Sequence, residues 1–251
     1  MIMNSASWTV STDFTSELSG NELMQYENIK TGKFMSRPNR FAAIVEIDGK
    51  NQICHVKNTG RLKELLVPGS TVFVQEASAG NRKTKYDLIA VDKGSRLINI
   101  DSQAPNRIFY EWVKRGNLFS SEAVIKPEAR YNNSRFDFYI EDGDRKAYVE
   151  VKGVTLEADG VAMFPDAPTE RGVKHIHELC ACLEDGFEAF VVFIIQMKNV
   201  NHFSPNRKTH PAFGDALSYA AGCGVKIIAL DCDVTKNTIE ARAFVDVKLN
   251  D

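Results

Sequence analysis

The stretch "YVEVKGVTL" at residues 148–156 decides the fold of the C-terminal part of the chain, because it places an acid and a base on one face of an apolar strand. Side chains on a strand alternate between its two faces, so Glu150 and Lys152 share a face. A second apolar stretch, "RFDFYI" at residues 135–140, precedes it, and the turn-forming segment "EDGDRK" lies between the two. Together they predict a β-hairpin.

The register of this hairpin determines which side chains meet. If Ile140 pairs with Ala147, antiparallel pairing places Asp137 directly opposite Glu150. Two carboxylates that face each other destabilise a sheet unless a positive charge lies between them. Mg²⁺ and Mn²⁺ prefer hard oxygen ligands of this kind, so the register predicts a Mg²⁺ or Mn²⁺ site.

The neighbours of the two acids predict the rest of this site. The main-chain carbonyl of Val151 would point toward the same position and is a candidate ligand. Glu128, in "KPEARY", is a candidate third carboxylate, with Glu122 as its alternative. Lys152 lies one pleat further along the strand, where it can steady an attacking water or the charge on a phosphoryl oxygen.

An acid on one strand and Glu-x-Lys on the next resembles the core of the PD-(D/E)xK nucleases. Here Asp137 is followed by Glu150, Val151 and Lys152, and the resemblance implies that the two acids are metal ligands and that the lysine is catalytic. The alternative is a solvated strand face that carries an ordinary Glu–Lys pair. The apolar residues around the acids favour the nuclease-like interpretation, because they indicate a sheet buried on one side.

The chain divides into three parts. Residues 1–23 are polar and rich in Ser and Thr, and we predict a disordered leader. Residues 24–97 contain short alternating strands with a hairpin signal at Asp48-Gly49, which predicts a small OB-like β-barrel. Residues 98–251 join the hairpin to alternating strands and helices, and predict a mixed sheet flanked by helices. The predicted fold class is α/β (α+β), an OB-like barrel followed by a PD-(D/E)xK nuclease-like domain.

Three stretches of the C-terminal part have the spacing of apolar residues that is typical of helices. They are "NRIFYEWVKRGNL", "TERGVKHIHELCACLEDG" and "PAFGDALSYAAGCG". Asp166 or Thr169 is the candidate N-cap of the second helix, and Gly172 would allow that helix to pack closely.

The start of the second helix carries further candidate site residues. Arg171 and Lys174 lie where phosphates are favoured, and we predict that both bind nucleic acid. Lys174 or His175 is also a candidate for a polar residue beside the metal site. A spacing of two places the rings of His175 and His177 on different sides of a helix, so we predict surface histidines rather than a metal-binding pair.

Charge is unevenly distributed along the chain. The net charge is −2, but residues 24–97 contain 13 Lys and Arg against 7 Asp and Glu, a surplus of +6. This surplus favours an anionic partner at the predicted barrel. The candidate phosphate-binding residues there are Arg37, Arg40, Lys57, Asn58 and Arg61.

The candidate binding residues of the barrel also have interpretations that involve no ligand. Phe41 or His55 could offer a flat surface to a base, or Phe41 could lie in the barrel core among ordinary solubilising charges. Asn58 belongs to "NTG", which is typical of a turn first and of a binding loop second.

The location of the protein is predicted from what its sequence contains. The five cysteines are odd in number and form no C-x-x-C pair, which indicates free thiols in a reducing compartment. The N-terminus lacks the basic and apolar regions of a signal peptide, and the longest apolar run, "FEAFVVFIIQM", is too short to span a bilayer. We therefore expect a cytoplasmic protein without a membrane partner.

The chain also resembles the sugar fermentation stimulation protein family, SfsA, from about residue 26 to residue 234. The matching stretches are "RPNRF", "HVKNTGRLKELLVPG", "SRFDF", "YVEVKGVTL", "FPDAPTERGVKHIHEL" and "FSPNR". This resemblance implies an N-terminal OB-like domain joined to a nuclease-like domain. It also implies DNA binding without sequence preference and a regulatory link to sugar metabolism.

Two functions follow as hypotheses. The first is a nuclease that uses a divalent metal to hydrolyse DNA phosphodiesters. The second is a non-catalytic DNA-binding regulatory protein, in which the acids are a remnant or a structural site. RNA is a more distant alternative partner, because OB-like barrels bind single strands of either kind. Whether the chain acts as a homodimer is left open.

Overall fold

The computed structural model describes residues 23–77 and 82–250. The disordered leader predicted for residues 1–23 lies outside the described residues, except for Leu23. Among the residues described, no helix has both the length and the apolar character needed to cross a membrane. All five cysteines are described and are free thiols, as predicted.

The N-terminal domain is a closed five-stranded barrel with one additional strand. Its sheet has the order β3-β2-β1-β4-β5-β6, and a parallel pairing of β3 with β5 closes the barrel. The strands are β1 (Ile29–Asn39), β2 (Ala42–Ile47), β3 (Lys50–Val56), β4 (Thr71–Glu76), β5 (Tyr86–Asp92) and β6 (Leu97–Asn99). The predicted OB-like barrel is therefore confirmed.

Local sequence explains the barrel strands. In β2, Ala43, Val45 and Ile47 are buried and alternate with more exposed residues, as a sheet with one face in a core requires. Asp48 and Gly49 both have positive φ, 52° and 72°, which gives the tight turn that this pair predicts between β2 and β3.

The C-terminal domain is built on a mixed six-stranded sheet of order β15-β14-β12-β9-β8-β7. Strands β9, β12 and β14 run parallel, and the other neighbours are antiparallel. The elements are α1 (Ala104–Lys114), β7 (Val124–Tyr131), β8 (Ser134–Asp142), β9 (Arg145–Val154), β10 (Leu156–Ala158), β11 (Val161–Phe164), α2 (Glu170–Glu184), β12 (Glu188–Ile195), β13 (His202–Pro205), α3 (Pro211–Cys223), β14 (Lys226–Val234) and β15 (Ile239–Phe244). Strands β10, β11 and β13 form a separate small sheet.

Helices cover both faces of the large sheet. On one face, Phe109 of α1 packs with Phe138 of β8 at a ring-centroid distance of 5.4 Å. On the other face, Leu179 of α2 and Leu217 of α3 belong to the same buried cluster as Phe193 of β12. Strand β12 is buried along almost its whole length, which is the pattern expected for a parallel strand covered on both sides. The predicted mixed sheet flanked by helices is confirmed.

The start of α2 resolves the choice of N-cap. The Thr169 hydroxyl accepts from the backbone N–H of Gly172 at 3.1 Å, so Thr169 is the cap. Asp166 has a different role, because its carboxylate accepts from the backbone N–H of Arg61 in the barrel domain at 2.8 Å. A Cβ on Gly172 would lie 3.2 Å from the Phe213 ring, which explains the close packing of α2 on α3.

Strand β7 was not predicted from the sequence. It contains Pro127, and Glu128 next to it has a positive φ of 55°, so the ladder to β8 is irregular at this point. Proline is tolerated in a strand only at an edge or a bulge, and β7 is the edge strand of the sheet. Residues 124–131 alternate in burial as a strand requires, so Pro127, which is typical of a strand breaker, is the reason that the sequence does not predict β7.

A buried ion cluster joins the two domains. Glu157 of β10 is 4% exposed and accepts from Lys93 at 2.7 Å, while Arg96 lies 2.6 Å from its other carboxylate oxygen. Burial alone would raise the pKa of Glu157, but the hydrogen bonds from Lys93, the Gly160 N–H and Arg96 outweigh it and lower the pKa to about 2. The carboxylate therefore stabilises the folded chain in its ionised form.

This cluster predicts an acid-sensitive stability. The folded pKa of Glu157 is below the value of roughly 4.3 for an unfolded Glu, so its contribution is present above that value and is lost as pH falls toward 2. We expect Glu157→Gln to be less stable than wild type at pH 7, with the difference shrinking as pH falls through this window. Denaturant unfolding followed by circular dichroism at several pH values measures it.

The exposed Glu27→Gln is the control, since it removes one carboxylate outside the cluster. A Glu157→Gln deficit that stays constant from pH 7 to pH 3 would contradict this account of the cluster.

Candidate active site

The β8–β9 hairpin has the predicted register. Ile140 pairs with Ala147, and Phe138 with Val149 is the last antiparallel pair toward the open end. Asp137 is the next residue of β8, and its carboxylate accepts from the backbone N–H of Val151 at 2.8 Å. The side chain thus replaces a ladder hydrogen bond at the point where the two strands separate.

Asp137 is held from two sides. Its second oxygen accepts from the Asn106 amide of α1 at 2.9 Å. Burial raises the pKa of Asp137, and the charge of Glu150 raises it further, while Lys152 and the two hydrogen bonds act in the opposite direction. The two carboxylates are therefore close enough to repel each other.

Glu150 is 3% exposed and is the more heavily compensated of the two acids. One of its oxygens lies 2.7 Å from the His175 Nδ1, and the Lys152 ammonium donates to the same oxygen. Burial would raise the pKa of Glu150, but the His175 and Lys152 contacts outweigh it, so the pKa lies below its usual value. These contacts favour the ionised form of Glu150.

His175 is part of this centre, and its predicted surface position is wrong. The residue is 6% exposed and packs its ring edge-on against Phe136, with centroids 5.9 Å apart. Its Nε2 accepts from the Arg171 Nε at 3.4 Å. Because the ionised Glu150 carboxylate can only accept, the His175 Nδ1 carries the proton and donates to it. His177 is exposed, as predicted.

The candidate third acid has another partner. Glu128 is about half exposed on β7 and forms an ion pair with Arg135 at 3.0 Å. Glu122, its alternative, is exposed in the turn before β7. Across residues 23–77 and 82–250, no group of three or more His, Cys, Asp or Glu could hold a metal ion. The structure brings together Asp137, Glu150 and Lys152, and does not add Glu128 to them.

The chemistry of the remaining donors fits a hard divalent cation. The carboxylates of Asp137 and Glu150 supply oxygens, and Val151 lies between Glu150 and Lys152 on β9, where its carbonyl is a third oxygen. The repulsion that raises the pKa of Asp137 is the kind that a bound cation removes. Asp137, Glu150 and Val151 would hold such an ion.

The structure places Arg37 inside the barrel domain as a clamp. Its guanidinium donates to the backbone carbonyls of Arg40, Asn58, Gly60 and Arg61, at 2.8–2.9 Å. Because all four acceptors are carbonyls of the chain itself, Arg37 fixes the shape of the loop at residues 58–61.

The other candidate nucleic-acid residues of the barrel differ in their surroundings. The Lys57 ammonium lies 2.9 Å from a buried Asp101 carboxylate, so Lys57 is part of an internal ion pair. The Asn58 side chain accepts from the Gly60 N–H at 2.8 Å and forms a turn, as predicted. Arg40 and Arg61 are exposed, and both can contact a ligand.

Phe41 is not a core residue. It is 54% exposed, and the Arg40 guanidinium lies 5.9 Å from the centre of its ring. Of the two alternatives for Phe41, the barrel core is therefore excluded.

Two grooves flank the centre. One, of about 560 Å³, is lined by Asn133, Ser134, Arg135, Glu170, Arg171, Lys174 and His175. The other, of about 430 Å³, lies between the two domains, and Gly153 and Thr169 contribute to its lining. The predicted nucleic-acid residues Arg171 and Lys174 thus lie in the first groove, beside His175.

Sequence reasoning missed Asn106. It lies in the first turn of a predicted helix, and nothing local distinguishes it from a solvent-exposed amide. Its role depends on a contact with Asp137, which lies 31 positions further along the chain. Only the docking of α1 against the hairpin reveals it.

Two family models match the chain. The SfsA N-terminal OB domain matches residues 35–100, and the Sugar fermentation stimulation protein RE domain matches residues 103–238. A Sugar fermentation stimulation protein homolog of Desulfitobacterium hafniense (strain Y51) is 65% identical over 226 residues, which cover 90% of this chain and 99% of the relative. A homolog of Clostridium beijerinckii is 57% identical, with 90% and 100% covered.

A solved structure is also similar over most of the chain. It is described as the structure of Pyrococcus furiosus SfsA in complex with Ca²⁺. It is 31% identical in sequence and superposes with a TM-score of 0.82, covering 90% of this chain and 99% of that one.

The clamp formed by Arg37 predicts a structural effect on substitution. Arg37→Met would leave four carbonyls without their donor, and hydrogen bonds to charged groups contribute about 1.5–3 kcal/mol each in favourable cases. We expect the free energy of unfolding to fall by about 2 kcal/mol or more. Denaturant unfolding measures it.

Arg40→Met is the matched control, because Arg40 is exposed and only its carbonyl takes part in the clamp. Equal stability of the two variants would show that the guanidinium of Arg37 does not hold the loop.

Proposed function

The chain belongs to the sugar fermentation stimulation protein family, and from that premise we propose that it binds DNA without sequence preference and hydrolyses phosphodiester bonds with the help of a divalent cation. One observation carries the proposal. Asp137, Glu150 and Lys152 come together where β8 and β9 separate, and each has a partner that fixes its side chain.

The cation is inferred from the donor set and from the relative. The similar Pyrococcus furiosus structure is a Ca²⁺ complex, and Ca²⁺, Mg²⁺ and Mn²⁺ all prefer oxygen ligands. In this chain Asp137, Glu150 and the carbonyl of Val151 would hold the ion, with Mg²⁺ or Mn²⁺ as the working ion. When bound, such an ion lowers the pKa of a coordinated water and neutralises charge on the phosphate.

The surrounding residues orient the acids. The Asn106 amide and the Val151 N–H hold the Asp137 carboxylate in one orientation. His175 donates to one oxygen of Glu150 and thereby directs the side chain. Because these contacts are formed before a substrate arrives, little reorganisation is needed during the reaction.

Lys152 supplies the positive charge of the centre. Its ammonium is paired with Glu150, and its side chain is 19% exposed. When a phosphodiester lies at the centre, the ammonium is within reach of a phosphoryl oxygen, where it stabilises the negative charge that develops. The role predicted for Lys152 is therefore compatible with its contact to Glu150.

The basic groove beside His175 supports DNA binding. Arg135, Arg171 and Lys174 line it, against the single acid Glu170. Arg40 and Arg61 add exposed positive charge on the barrel. Contacts of this kind bind the phosphate backbone and carry no sequence information, so the proposed binding is sequence-independent.

A non-catalytic, DNA-binding regulatory protein linked to sugar metabolism is the second candidate. The observation in its favour is the neighbourhood of Glu150, where His175 and Lys152 already compensate one oxygen. The part of the chain that the structure describes also supplies no cluster of three acidic, His or Cys ligands. In this case the two acids are a structural feature of the hairpin.

The proposal predicts separable effects on metal binding and cleavage. Asp137→Asn and Glu150→Gln each remove a ligand charge, so we expect Mn²⁺ binding to be lost in isothermal titration calorimetry. Lys152→Met keeps the ligands, so we expect it to bind Mn²⁺ but to cut labelled DNA about 10²–10³-fold more slowly. Addition of EDTA abolishes cleavage by the wild type.

Glu128→Gln is the control, since it removes a carboxylate of the neighbouring strand that pairs with Arg135. We expect it to bind Mn²⁺ and to cleave like the wild type. If the wild type binds DNA but neither Mn²⁺ binding nor cleavage responds to the three substitutions, the regulatory alternative replaces the nuclease.

A further inference from the structure

The groove between the two domains has a wall from each of them. Asn58, Thr59 and Gly60 form the barrel side, at the loop that Arg37 clamps. The opposite side comes from the C-terminal domain, in the segments around residues 153–156 and 163–169. The volume is about 430 Å³, which is within the range of small-molecule pockets.

The interdomain groove has fewer charged side chains in its lining than the basic groove. Leu156, Met163, Phe164 and Pro165 give it apolar surface. Charged groups are few: Arg40 is at its border, and the carboxylate of Asp166 already accepts from a barrel N–H. The interdomain groove therefore offers little positive charge to a phosphate. Polar side chains such as Asn58, Ser102 and Thr155 supply more of the lining than these apolar residues do, so the groove suits a flat, neutral group with apolar faces and hydrogen-bonding edges.

Gln196 supplies one such edge in a fixed orientation. The backbone N–H of Asp101 donates to the Asn99 side-chain oxygen at 3.0 Å, which identifies that atom as an acceptor. The Gln196 amide nitrogen then donates to the same oxygen and to the Asp101 carbonyl, both at 2.9 Å. The orientation of the Gln196 amide is thus determined by backbone groups.

Because its nitrogen is directed at Asn99 and Asp101, the almost completely buried Gln196 presents its oxygen on the side of Gly153, at the floor of the groove. A Cβ on Gly153, which lines the groove, would lie 2.7 Å from this oxygen. An acceptor held in a fixed orientation on the wall of a groove with few charged groups is suited to a ligand with an N–H edge. The exocyclic amines and ring N–H groups of nucleobases provide such an edge.

The groove is also next to the proposed centre. Gly153 follows Lys152 directly, and the Cβ position of Gly153 is 2.7 Å from Pro105, the neighbour of Asn106. Thr169, at the start of α2, lines this groove, whereas Arg171 and Lys174 line the basic groove. The acids therefore lie between a groove suited to a base and a groove suited to phosphates.

We propose that the interdomain groove binds one unstacked nucleobase, with Gln196 accepting from its N–H edge, and that the chain consequently prefers single-stranded nucleic acid. The inference rests on the proposed function, since it names the substrate class of the same site. A base inside a duplex is stacked and paired, so it would first have to leave the helix, which costs a few kcal/mol. A single strand avoids this cost.

The test blocks the groove from its exposed side. Thr59 lines the groove on an exposed turn, so Thr59→Trp fills it without altering the core. Asn237→Trp, in the exposed turn between β14 and β15, is the control for a surface tryptophan. Binding is measured by fluorescence anisotropy in EDTA, so that cleavage does not interfere.

Four ligands of one length separate the contributions, and the three that carry bases share one sequence. The four ligands are single-stranded DNA, the same strand as RNA, the DNA duplex, and a DNA strand of abasic residues. We expect the wild type to bind the single strand about tenfold more tightly than the duplex or the abasic strand. We expect Thr59→Trp to lose this advantage and to bind the abasic strand like the wild type.

The outcomes are distinguishable. If Thr59→Trp and the wild type bind single strands equally well, or if the duplex is preferred, the groove does not take a base, although the proposed DNA binding stands. If the wild type binds none of the four ligands, the proposed function itself fails, and this inference with it. A difference between the DNA and RNA strands identifies the sugar that the site prefers.

Discussion

The C-terminal domain has to accommodate two acidic side chains that lie close together in its sheet. Asp137 and Glu150 repel each other, and leaving a buried charge uncompensated costs several kcal/mol. The compensating groups come from three elements: Asn106 from α1, the Val151 N–H and Lys152 from β9, and His175 from α2. The acids therefore define how both helices must dock on the hairpin.

The barrel is tied to this domain by polar contacts rather than by a flexible linker alone. Asp166 accepts from the Arg61 N–H, Glu157 binds Lys93 and Arg96, and Gln196 of the sheet donates to Asn99 and Asp101. These contacts are numerous and largely buried, so the loop at residues 58–61 has a defined position opposite the β9 strand. The shape of the groove between the domains therefore depends on these interface contacts.

Features of the fold that depend on local periodicity and turn chemistry could be predicted from the sequence. The hairpin register, with Ile140 opposite Ala147, follows from two alternating strands and a short turn, and it brought Asp137 to Glu150. Long-range partners could not be predicted in this way. Asn106 and His175 reach the acids only after their helices dock on the sheet. Arg37 and Lys57 are residue types that often bind phosphate, but here their charges satisfy groups of the chain itself.

The clamp formed by Arg37 gives the barrel a role that its surface charge alone does not explain. The two terminal nitrogens of the Arg37 guanidinium donate to four carbonyls of the chain, and this fixes Asn58 and Gly60 on the wall of the groove. Basic residues of the barrel can thus act on a bound strand through the shape of the groove, while Arg171 and Lys174 act through charge on the other side of the acids. If a base lies against the barrel wall and the backbone lies along α2, the phosphodiester between them passes over Lys152. The division of the chain into a barrel and a sheet domain then corresponds to a division between recognising a base and handling a phosphate.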